Sequence, residues 1–199
     1  VSISIGLPLG VISALRHNTW LDYLATGLAV LGISVPVIIL GPIVQYLIGV
    51  HLKWLPVSGW GEFRYMIMPM FALGIANAAI IARLTRATLL QVLGQDYIRT
   101  ARAKGLSERL VIIRHALKNS FIPIVTVLGP MIAGLLTGTF VVETMFGIPG
   151  AGRFFVNSVA GRDYPVIMGT VLLWAIFLVV ANTVVDILYV WLDPRIRYE

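Results

Sequence analysis

The chain has 199 residues, of which 58% are hydrophobic and 12% are charged, and its mean hydropathy is +0.91. Such scarce charge excludes an ordinary soluble globular protein, in which about a quarter of the residues are charged. The formal net charge is +6, but the cations lie between long apolar runs, which indicates a position beside a membrane rather than nucleic-acid binding. Because cysteine is absent, disulfides, thiolate metal sites and thiol nucleophiles are also excluded.

The apolar residues form long uncharged runs. The first segment, Val1 to Leu15, is short and lacks the basic leader and cleavage site of a signal peptide, so we expect it to be the inner part of a span whose beginning is missing. Four later runs have roughly the 18 residues that cross about 30 Å of hydrocarbon as a helix. They are Tyr23–Val50, Tyr65–Ala82, Asn119–Val142 and Tyr164–Val185. The sequence therefore predicts an all-α, polytopic transmembrane bundle with about five spans in this N-terminally incomplete fragment.

The basic residues predict the orientation of these spans. Eight of the 15 Lys and Arg residues fall within residues 83–118, and short cytoplasmic loops of membrane proteins are enriched in these residue types. We therefore expect residues 83–118 to be cytoplasmic. Alternation then gives two further cytoplasmic segments, residues 16–22 and the C-terminal residues 193–199, and two external ones, residues 51–64 and 143–163.

Proline and glycine interrupt the apolar runs. Pro36, Pro42 and Pro69 remove regular helical hydrogen bonds, which packed neighbours or a cavity must replace. Glycines in the first long run let neighbouring helices approach closely. Both features suit a bundle around a transport pathway, and both also occur in membrane proteins that have no pathway.

The external segment 143–163 contains too many Gly and Pro residues to span the membrane. Within it, residues 151–160 are a candidate for a short helix lying on the outer surface. Phe154, Phe155 and Val159 would then face the membrane or neighbouring spans. Periodicity alone leaves an ordinary structured loop equally open.

The basic segment has a helical pattern of its own, which a topological signal would not require. Asp96 is a favourable N-cap, and Gly105 suits the position just after a helix end, where a left-handed backbone is easiest without a side chain. Ser107 can cap a second helix that continues into the next span. The first helix is about two turns long and would not be stable alone in water.

This short helix has a small apolar side. Tyr97, Ile98 and Ala101 share that side, and Arg99 and Arg102 lie on an adjacent face. The pattern predicts either a helix that docks in a groove of another protein or an amphipathic helix that rests on anionic lipid. The physical pattern by itself favours neither.

The basic segment also resembles a known motif. The stretch "YIRTARAKGLSERLVIIRHALKNSFIPI" resembles the EAA loop of binding-protein-dependent ABC importers, in the form found in dipeptide, oligopeptide and nickel permeases. "VVETMFGIPGAGRFFVNSVAGRDYPVIMG" is similar to the external segment of that family, and "DILYVWLDPRIRY" to its C-terminus. These matches cover most of residues 20–199. Thr100 stands where the general motif has Glu, which we interpret as a feature of the peptide branch.

The resemblance implies a type I ABC importer permease over residues 1–199, with a cytoplasmic coupling loop at 91–118 and an external segment at 143–163. In this family a short helix in the loop couples the permease to its ATPase. Transferred to this sequence, the coupling set comprises Asp96, Tyr97, Ile98, Arg99, Thr100, Ala101, Arg102, Ala103, Lys104 and Gly105.

The resemblance also implies an assembly in the cytoplasmic (inner) membrane of a prokaryote. Its members would be a second homologous permease subunit, two ABC ATPase subunits and an extracytoplasmic solute-binding protein, in a lipid bilayer and without nucleic acid. ATP and Mg²⁺ would bind the ATPase subunits, and no cofactor is expected in this chain. The sequence agrees, since it contains no G-x-x-x-x-G-K-[ST] phosphate loop. The chain would then be a transport subunit and not an enzyme.

Polar residues outside the loop are candidates for contacts with the binding protein or the cargo. The external set is Arg153, Arg162 and Asp163, for which solvated loop charges are the alternative. The pathway set is Gln45, Asn77 and Asn182, although hydrogen bonding between helices is the commoner role of such residues.

Three functional hypotheses follow. We favour a peptide permease; the same architecture carrying nickel, glutathione or another solute is the second. The third is a secondary transporter or channel in which Asp186, near the inner end of the last span, would be central. A subunit-contact or interfacial role for Asp186 is favoured over a proton relay, and the three isolated histidines indicate no metal site.

Overall fold

The fold is described by a computed structural model over residues 1–136 and 139–192, and strands are absent from these two ranges. Ten α-helices lie within them: α1 Ser2–Leu15, α2 Trp20–Ser34, α3 Val37–Val44, α4 Phe63–Leu93, α5 Asp96–Ala103, α6 Glu108–Leu110, α7 Lys118–Leu136, α8 Phe140–Phe146, α9 Ala151–Gly161 and α10 Tyr164–Leu192. Helix α3 continues in π-helical form through Gln45–His51, and a π-helical stretch, Val111–Leu117, joins α6 to α7. The predicted cytoplasmic tail, residues 193–199, lies outside the described ranges.

Within the described ranges, three helices are long and apolar enough to cross a membrane, namely Phe63–Leu93, Glu108–Leu136 and Tyr164–Leu188. The second helix runs from Glu108 to Leu136, so it starts and ends earlier in the chain than the predicted span Asn119–Val142. The segment Ser2–Leu15 forms an apolar helix of 14 residues, shorter than a full span.

The apolar run Tyr23–Val50 does not form one continuous helix, because it is interrupted at Pro36, one of the three prolines predicted to remove regular helical hydrogen bonds. The run is divided into Trp20–Ser34 and Val37–His51, whose axes differ by 101°. The break follows from Pro36, which has no amide hydrogen and disfavours helical geometry in the residue before it. Val35 accordingly adopts an extended backbone with φ −93° and ψ 109°. The pair is therefore a broken span or a re-entrant loop.

Helix α1 packs closely along α4 because glycine lies at the contact. A Cβ atom on Gly10 would lie 2.6 Å from the Ala82 carbonyl oxygen and 2.6 Å from Thr85 Cβ, and a Cβ on Gly6 would overlap the Ala78 carbonyl. Small residues let transmembrane helices approach until their backbones touch. The two glycines therefore hold α1 against the middle of α4.

Two buried clusters lie at opposite ends of α4. One includes Leu89 of α4 together with Ala14 and Val111; the other includes Met68 of α4 together with Phe146. At 1.5 Å per residue, Met68 and Leu89 are about 30 Å apart along the helix axis, the thickness of a hydrocarbon layer.

The loops gather at these two ends as alternation requires. The turn at residues 16–19 and the loop after α4 lie at the Leu89 end, since Ala14 and Val111 pack there. The loop 51–62, which the sequence predicts to be external, lies at the Met68 end, where the Gly59 amide donates to the Phe146 carbonyl at 2.9 Å. The two ends therefore differ as the two sides of a membrane would.

We predict that Gly10→Ala lowers the melting temperature of the purified protein in detergent. The new methyl group would press on the α4 backbone, and overpacking of this kind costs about 1–3 kcal/mol. Gly27→Ala on α2 is the matched control, because nothing lies within 4 Å of its Cβ position. An unchanged melting temperature for Gly10→Ala would contradict the close contact between α1 and α4.

Candidate functional site

The predicted coupling helix is present as α5, Asp96–Ala103, immediately after the long helix α4. Its start differs from the prediction. Gln95 is the N-cap residue, with φ −74° and ψ 150°, and Asp96 is the first helical residue, so the assignment of Asp96 as N-cap is wrong. The Asp96 carboxylate instead lies 3.7 Å from the Arg99 guanidinium, in an exposed pair one turn apart.

The end of the coupling helix is as predicted. Gly105 has φ +77°, in the left-handed region where glycine is favoured, and its Cβ position has nothing within 4 Å. Glycine is therefore needed at position 105 for the left-handed backbone conformation, and not because a side chain would lack room. Ser107 occupies the N-cap position of the next helix, but its side chain makes no capping hydrogen bond.

The apolar side of α5 faces the interior of this chain. Ile98 is fully buried and Ala101 is 7% exposed, and both pack in the cluster that contains Ala14, Leu89 and Val111. Ile98 and Ala101 are therefore not available to a groove of another protein, whereas Tyr97 on the same side is exposed. The apolar side instead fixes the helix to α1, α4 and the π-helical segment.

Tyr97 and Arg102 join α5 to the helix that follows it. The Tyr97 hydroxyl accepts a hydrogen bond from Asn119 Nδ2 at 2.7 Å and donates to the His115 carbonyl at 3.5 Å. The Arg102 guanidinium donates to both carboxylate oxygens of Glu108, at 2.6 and 3.0 Å, across the Gly105 turn. This pairing raises the pKa of Arg102 above its ordinary value, so the guanidinium stays charged.

The remaining members of the coupling set form an exposed row, which we call the outward face. It comprises Asp96, Arg99, Thr100 and Ala103, which recur at helical spacing, and Lys104 at the end of the row. The Thr100 hydroxyl donates to the Asp96 carbonyl at 3.0 Å, so it is satisfied within the helix. A partner approaching α5 would meet this row.

An ion pair between a buried carboxylate and a partly exposed guanidinium lies close to the coupling helix, and the sequence analysis missed it. The Asp22 carboxylate is 1% exposed, and Arg86 Nε and Nη2 donate to its two oxygens at 2.7 and 2.8 Å. The Ser13 hydroxyl also donates to this carboxylate, as do the backbone N–H of Asn18 at 2.9 Å and the Thr26 hydroxyl at 3.5 Å. We call these five residues the ion-pair network.

The network satisfies a charge that would otherwise be costly to bury. Removing an ion from water costs several kcal/mol, which close, well-oriented donors offset. Its members come from α1, the α1–α2 turn, α2 and α4. The sequence signal was available, since Asp22 is the last charged residue before the uncharged run that begins at Tyr23.

Glu143 organises the external segment, and the sequence analysis missed its role as well. It lies in α8 and is 5% exposed, and its carboxylate accepts from the amides of Gly152 at 3.3 Å and Arg153 at 2.9 Å. These amides belong to the first turn of α9, whose N-terminus favours negative charge. Glu143 thereby stabilises the helix predicted at residues 151–160, which the structure confirms as Ala151–Gly161.

The external candidates are all exposed, but they do different things. Arg153 lines an open cavity of about 270 Å³ beside Phe154 and Asn157. Asp163 accepts a hydrogen bond from the Val166 amide at 3.3 Å and so caps α10, and Arg162 ends α9 with φ +55°.

The three apolar residues predicted on one side of α9 differ in their contacts, since only Phe155 packs on a neighbouring span. Phe155 packs on Trp174 of α10, with ring centroids 4.6 Å apart. Phe154 is 65% exposed and Val159 is 49% exposed. Helix α9 is thus attached to α10 on one side and presents an apolar surface on the other.

The three pathway candidates occupy separate places. Gln45 Nε2 donates to the carbonyls of Val57 and Met145, at 3.0 and 2.9 Å, and joins the π-helical end of α3 to the loop 51–62 and to α8. Asn77 lines a cavity of about 420 Å³ at the Pro36 break. Asn182 is exposed on α10 where that helix crosses α7. Across the described residues, no group of His, Cys, Asp and Glu has the geometry of a metal site.

Comparison with known proteins identifies the family. The family model for the "binding-protein-dependent transport system inner membrane component" matches residues 6–198. The chain belongs to this family. It is therefore a membrane protein of the transport-permease class, as its long apolar helices indicate.

Individual relatives carry peptide-transport names. The dipeptide transport system permease protein DppB of Bacillus subtilis is 50% identical over 197 residues, which are 99% of this chain and 64% of DppB. The oligopeptide permease protein OppB of Escherichia coli K12 is 42% identical over 200 residues, and the glutathione permease protein GsiC of Escherichia coli O1:K1 is 44% identical over 198. The alignment with each covers 100% of this chain and 65% of the relative, so this chain spans about two thirds of their length.

The fold matches a solved transporter. A chain of the inward-facing MetNI methionine ABC transporter superimposes with a TM-score of 0.75, over 96% of this chain and 88% of that one, at 19% sequence identity. The fold is therefore that of a type I ABC importer permease, as the sequence resemblance implied.

We predict that Glu143→Ala loosens α9. Loss of a carboxylate that caps a helix costs about 0.5–2 kcal/mol, and the freed amides of Gly152 and Arg153 should exchange hydrogen faster. Hydrogen–deuterium exchange of the purified protein measures this directly. Glu62→Ala is the control, because Glu62 is exposed and its side chain makes no cap hydrogen bond to α4. Equal exchange in α9 of both variants would contradict the capping role.

Proposed function

We propose that this chain is the membrane-spanning permease part of an ATP-driven importer of dipeptides and oligopeptides. The observation that carries the proposal is the outward face of α5, an exposed row on a short helix whose other side is buried in the membrane bundle. The family membership and the peptide-transport names of the relatives support the cargo class. The basic residues of segment 83–118 support a cytoplasmic position for this face.

In this proposal the chain acts within a larger assembly. A second homologous permease completes the pore, two ABC ATPases bind the cytoplasmic side, and a solute-binding protein delivers cargo to the external side. ATP and Mg²⁺ bind the ATPases, so this chain transmits force and does not hydrolyse ATP. The assembly lies in the cytoplasmic membrane of a prokaryote, with residues 83–118 and the C-terminal tail in the cytoplasm.

Transmission begins when the ATPase pair closes around ATP and displaces the outward face. Because Ile98 and Ala101 are buried against α1 and α4, α5 cannot move independently of those helices. ATP then favours one of two packings of the bundle through its differential contacts with them, as linkage requires. The second packing opens the pathway on the other side of the membrane.

The external end would receive the solute-binding protein. Helix α9 is held by Glu143 and by the packing of Phe155, and it leaves Arg153 exposed beside an open cavity. Arg153 and Arg162 are the external contacts that this arrangement favours. Asp163 is less suited to that role, since its carboxylate caps α10.

Glutathione is a second candidate cargo, because one relative is named a glutathione permease protein. Glutathione is itself a small peptide, so the two candidates share a cargo class. Titration of the partner binding protein with dipeptides, oligopeptides, glutathione and nickel separates these cargoes. Tight binding of nickel alone would contradict a peptide cargo.

The proposal is tested by uptake in vesicles that contain the full-length protein, its partner permease, the ATPases and the binding protein. We expect labelled dipeptide to accumulate when ATP is supplied on the side of the membrane that carries the ATPases. Accumulation should be the same with or without an ionophore that collapses ion gradients. Uptake that needs an ion gradient and ignores ATP would favour a secondary transporter and contradict the proposal.

We predict that Gly105→Val abolishes dipeptide uptake and binding-protein-stimulated ATP turnover while the subunits still assemble. A β-branched side chain disfavours the left-handed backbone by about 1–2 kcal/mol, so the turn that presents the outward face would change. Gly105→Asn should retain most activity, because asparagine tolerates this conformation. Gly94→Val is the matched control, since Gly94 lies in the same loop with φ −81°. Normal uptake by Gly105→Val would contradict the coupling assignment.

A further inference from the structure

We infer that the ion-pair network centred on Asp22 and Arg86 determines how tightly ATP hydrolysis is coupled to transport, by making α2 move with the coupling helix. Asp22 and Arg86 are positioning residues in this inference, because they act through the helices that they join. The inference rests on the proposed function and extends it to residues far from the outward face.

The ion-pair network lies beside the buried cluster that holds α5. Ser13, which donates to Asp22, precedes Ala14, a member of the buried cluster that holds Ile98. Arg86 precedes Leu89 of the same cluster by about one helical turn. The network and the cluster are therefore adjacent on both α1 and α4.

The ion-pair network includes helix α2, which contributes no described residue to the buried cluster around Ile98. Asp22 lies in the first turn of α2, and the buried cluster around Ile98 takes its described members from α1, α4, α5 and the segment after Gly105. Helix α2 reaches the cavity of about 420 Å³ through Ile33, beside Pro36 and across from Asn77. The network thus connects the coupling helix to a helix that lines a cavity in the membrane region.

A charged pair joins α2 to α4 where apolar residues could also have joined them. Apolar residues of similar volume hold helices together at least as well as a buried ion pair, so stability alone gives little reason for Asp22 and Arg86. A bidentate guanidinium–carboxylate pair adds directional constraint, because the planar fork fixes both distance and angle. The pair therefore limits rotation and sliding of α2 against α4, and the Ser13 hydroxyl adds a bond from α1 to the same carboxylate.

The test compares peptide imported per ATP hydrolysed, in vesicles containing the assembled full-length transporter. We expect Asp22→Asn to lower this ratio about tenfold, since an amide cannot replace the charge-assisted pair, while stimulated ATP hydrolysis continues. Arg86→Lys keeps the charge and loses the fork, so an intermediate ratio is expected. Glu62→Gln, an exposed carboxylate at the opposite end of α4, should leave the ratio unchanged.

A reversible crosslink distinguishes positioning from folding. The chain has no cysteine, and a Cβ on Gly32 would lie 3.1 Å from Ala79 Cβ, so a separation of the two helices by a few tenths of an ångström lets Gly32→Cys and Ala79→Cys form a disulfide between α2 and α4. In the Asp22→Asn background, oxidation should restore the ratio and reduction of the same sample should lower it again. The crosslinked background also holds α2 in place if Asp22→Asn alone assembles poorly.

Two results would overturn the inference. One is an equal fall of uptake and ATP hydrolysis per assembled complex in Asp22→Asn, which would indicate a purely structural role. The other is a ratio that does not respond to oxidation or reduction of the crosslinked variant. Failure of the proposed function would differ from both, because the unmodified protein would then show no ATP-dependent uptake at all.

Discussion

The burial of Ile98 against Ala14, Leu89 and Val111 is the contact on which the rest of the Leu89 end of the bundle depends. A helix of two turns has too few hydrogen bonds to persist alone in water, so tertiary packing must stabilise it. Complete burial of an isoleucine side chain contributes about 1.5–3 kcal/mol to that packing. Because Ile98 and Ala101 are used internally, the proposed recognition of a partner is left to the outward face.

Each end of the bundle contains a buried carboxylate that joins separate elements through hydrogen bonds. At the Leu89 end, Asp22 joins α1 and α2 to α4 through Ser13 and Arg86. At the Met68 end, Glu143 holds α9 through backbone amides. Lipid offers apolar helices contacts similar to those that they make with each other, so their packing has little hydrophobic driving force in a membrane. Hydrogen bonds to a buried carboxylate add a directional constraint to that packing.

Several features were predictable because they depend on local covalent geometry. The left-handed backbone at Gly105 and the break at Pro36 follow from what glycine and proline permit. The helix at 151–160 and the long helices follow from composition and periodicity. The family resemblance, carried by residues 97–124, 141–169 and 186–198, agreed with the family match, although the last of these segments extends beyond the described residues.

The sequence by itself determined an all-helical membrane protein, the sites of its breaks and the existence of a short helix in the basic loop. It did not determine which side of that helix is free. Tyr97, Ile98 and Ala101 form an apolar side equally suited to a partner's groove or to the chain's own core, since hydrophobic burial does not depend on the identity of the neighbour. The pairing of Asp22 with Arg86, 64 positions apart, likewise appears only when α2 and α4 are packed together. Contacts between distant residues depend on the whole arrangement of helices, and only the tertiary structure decided them.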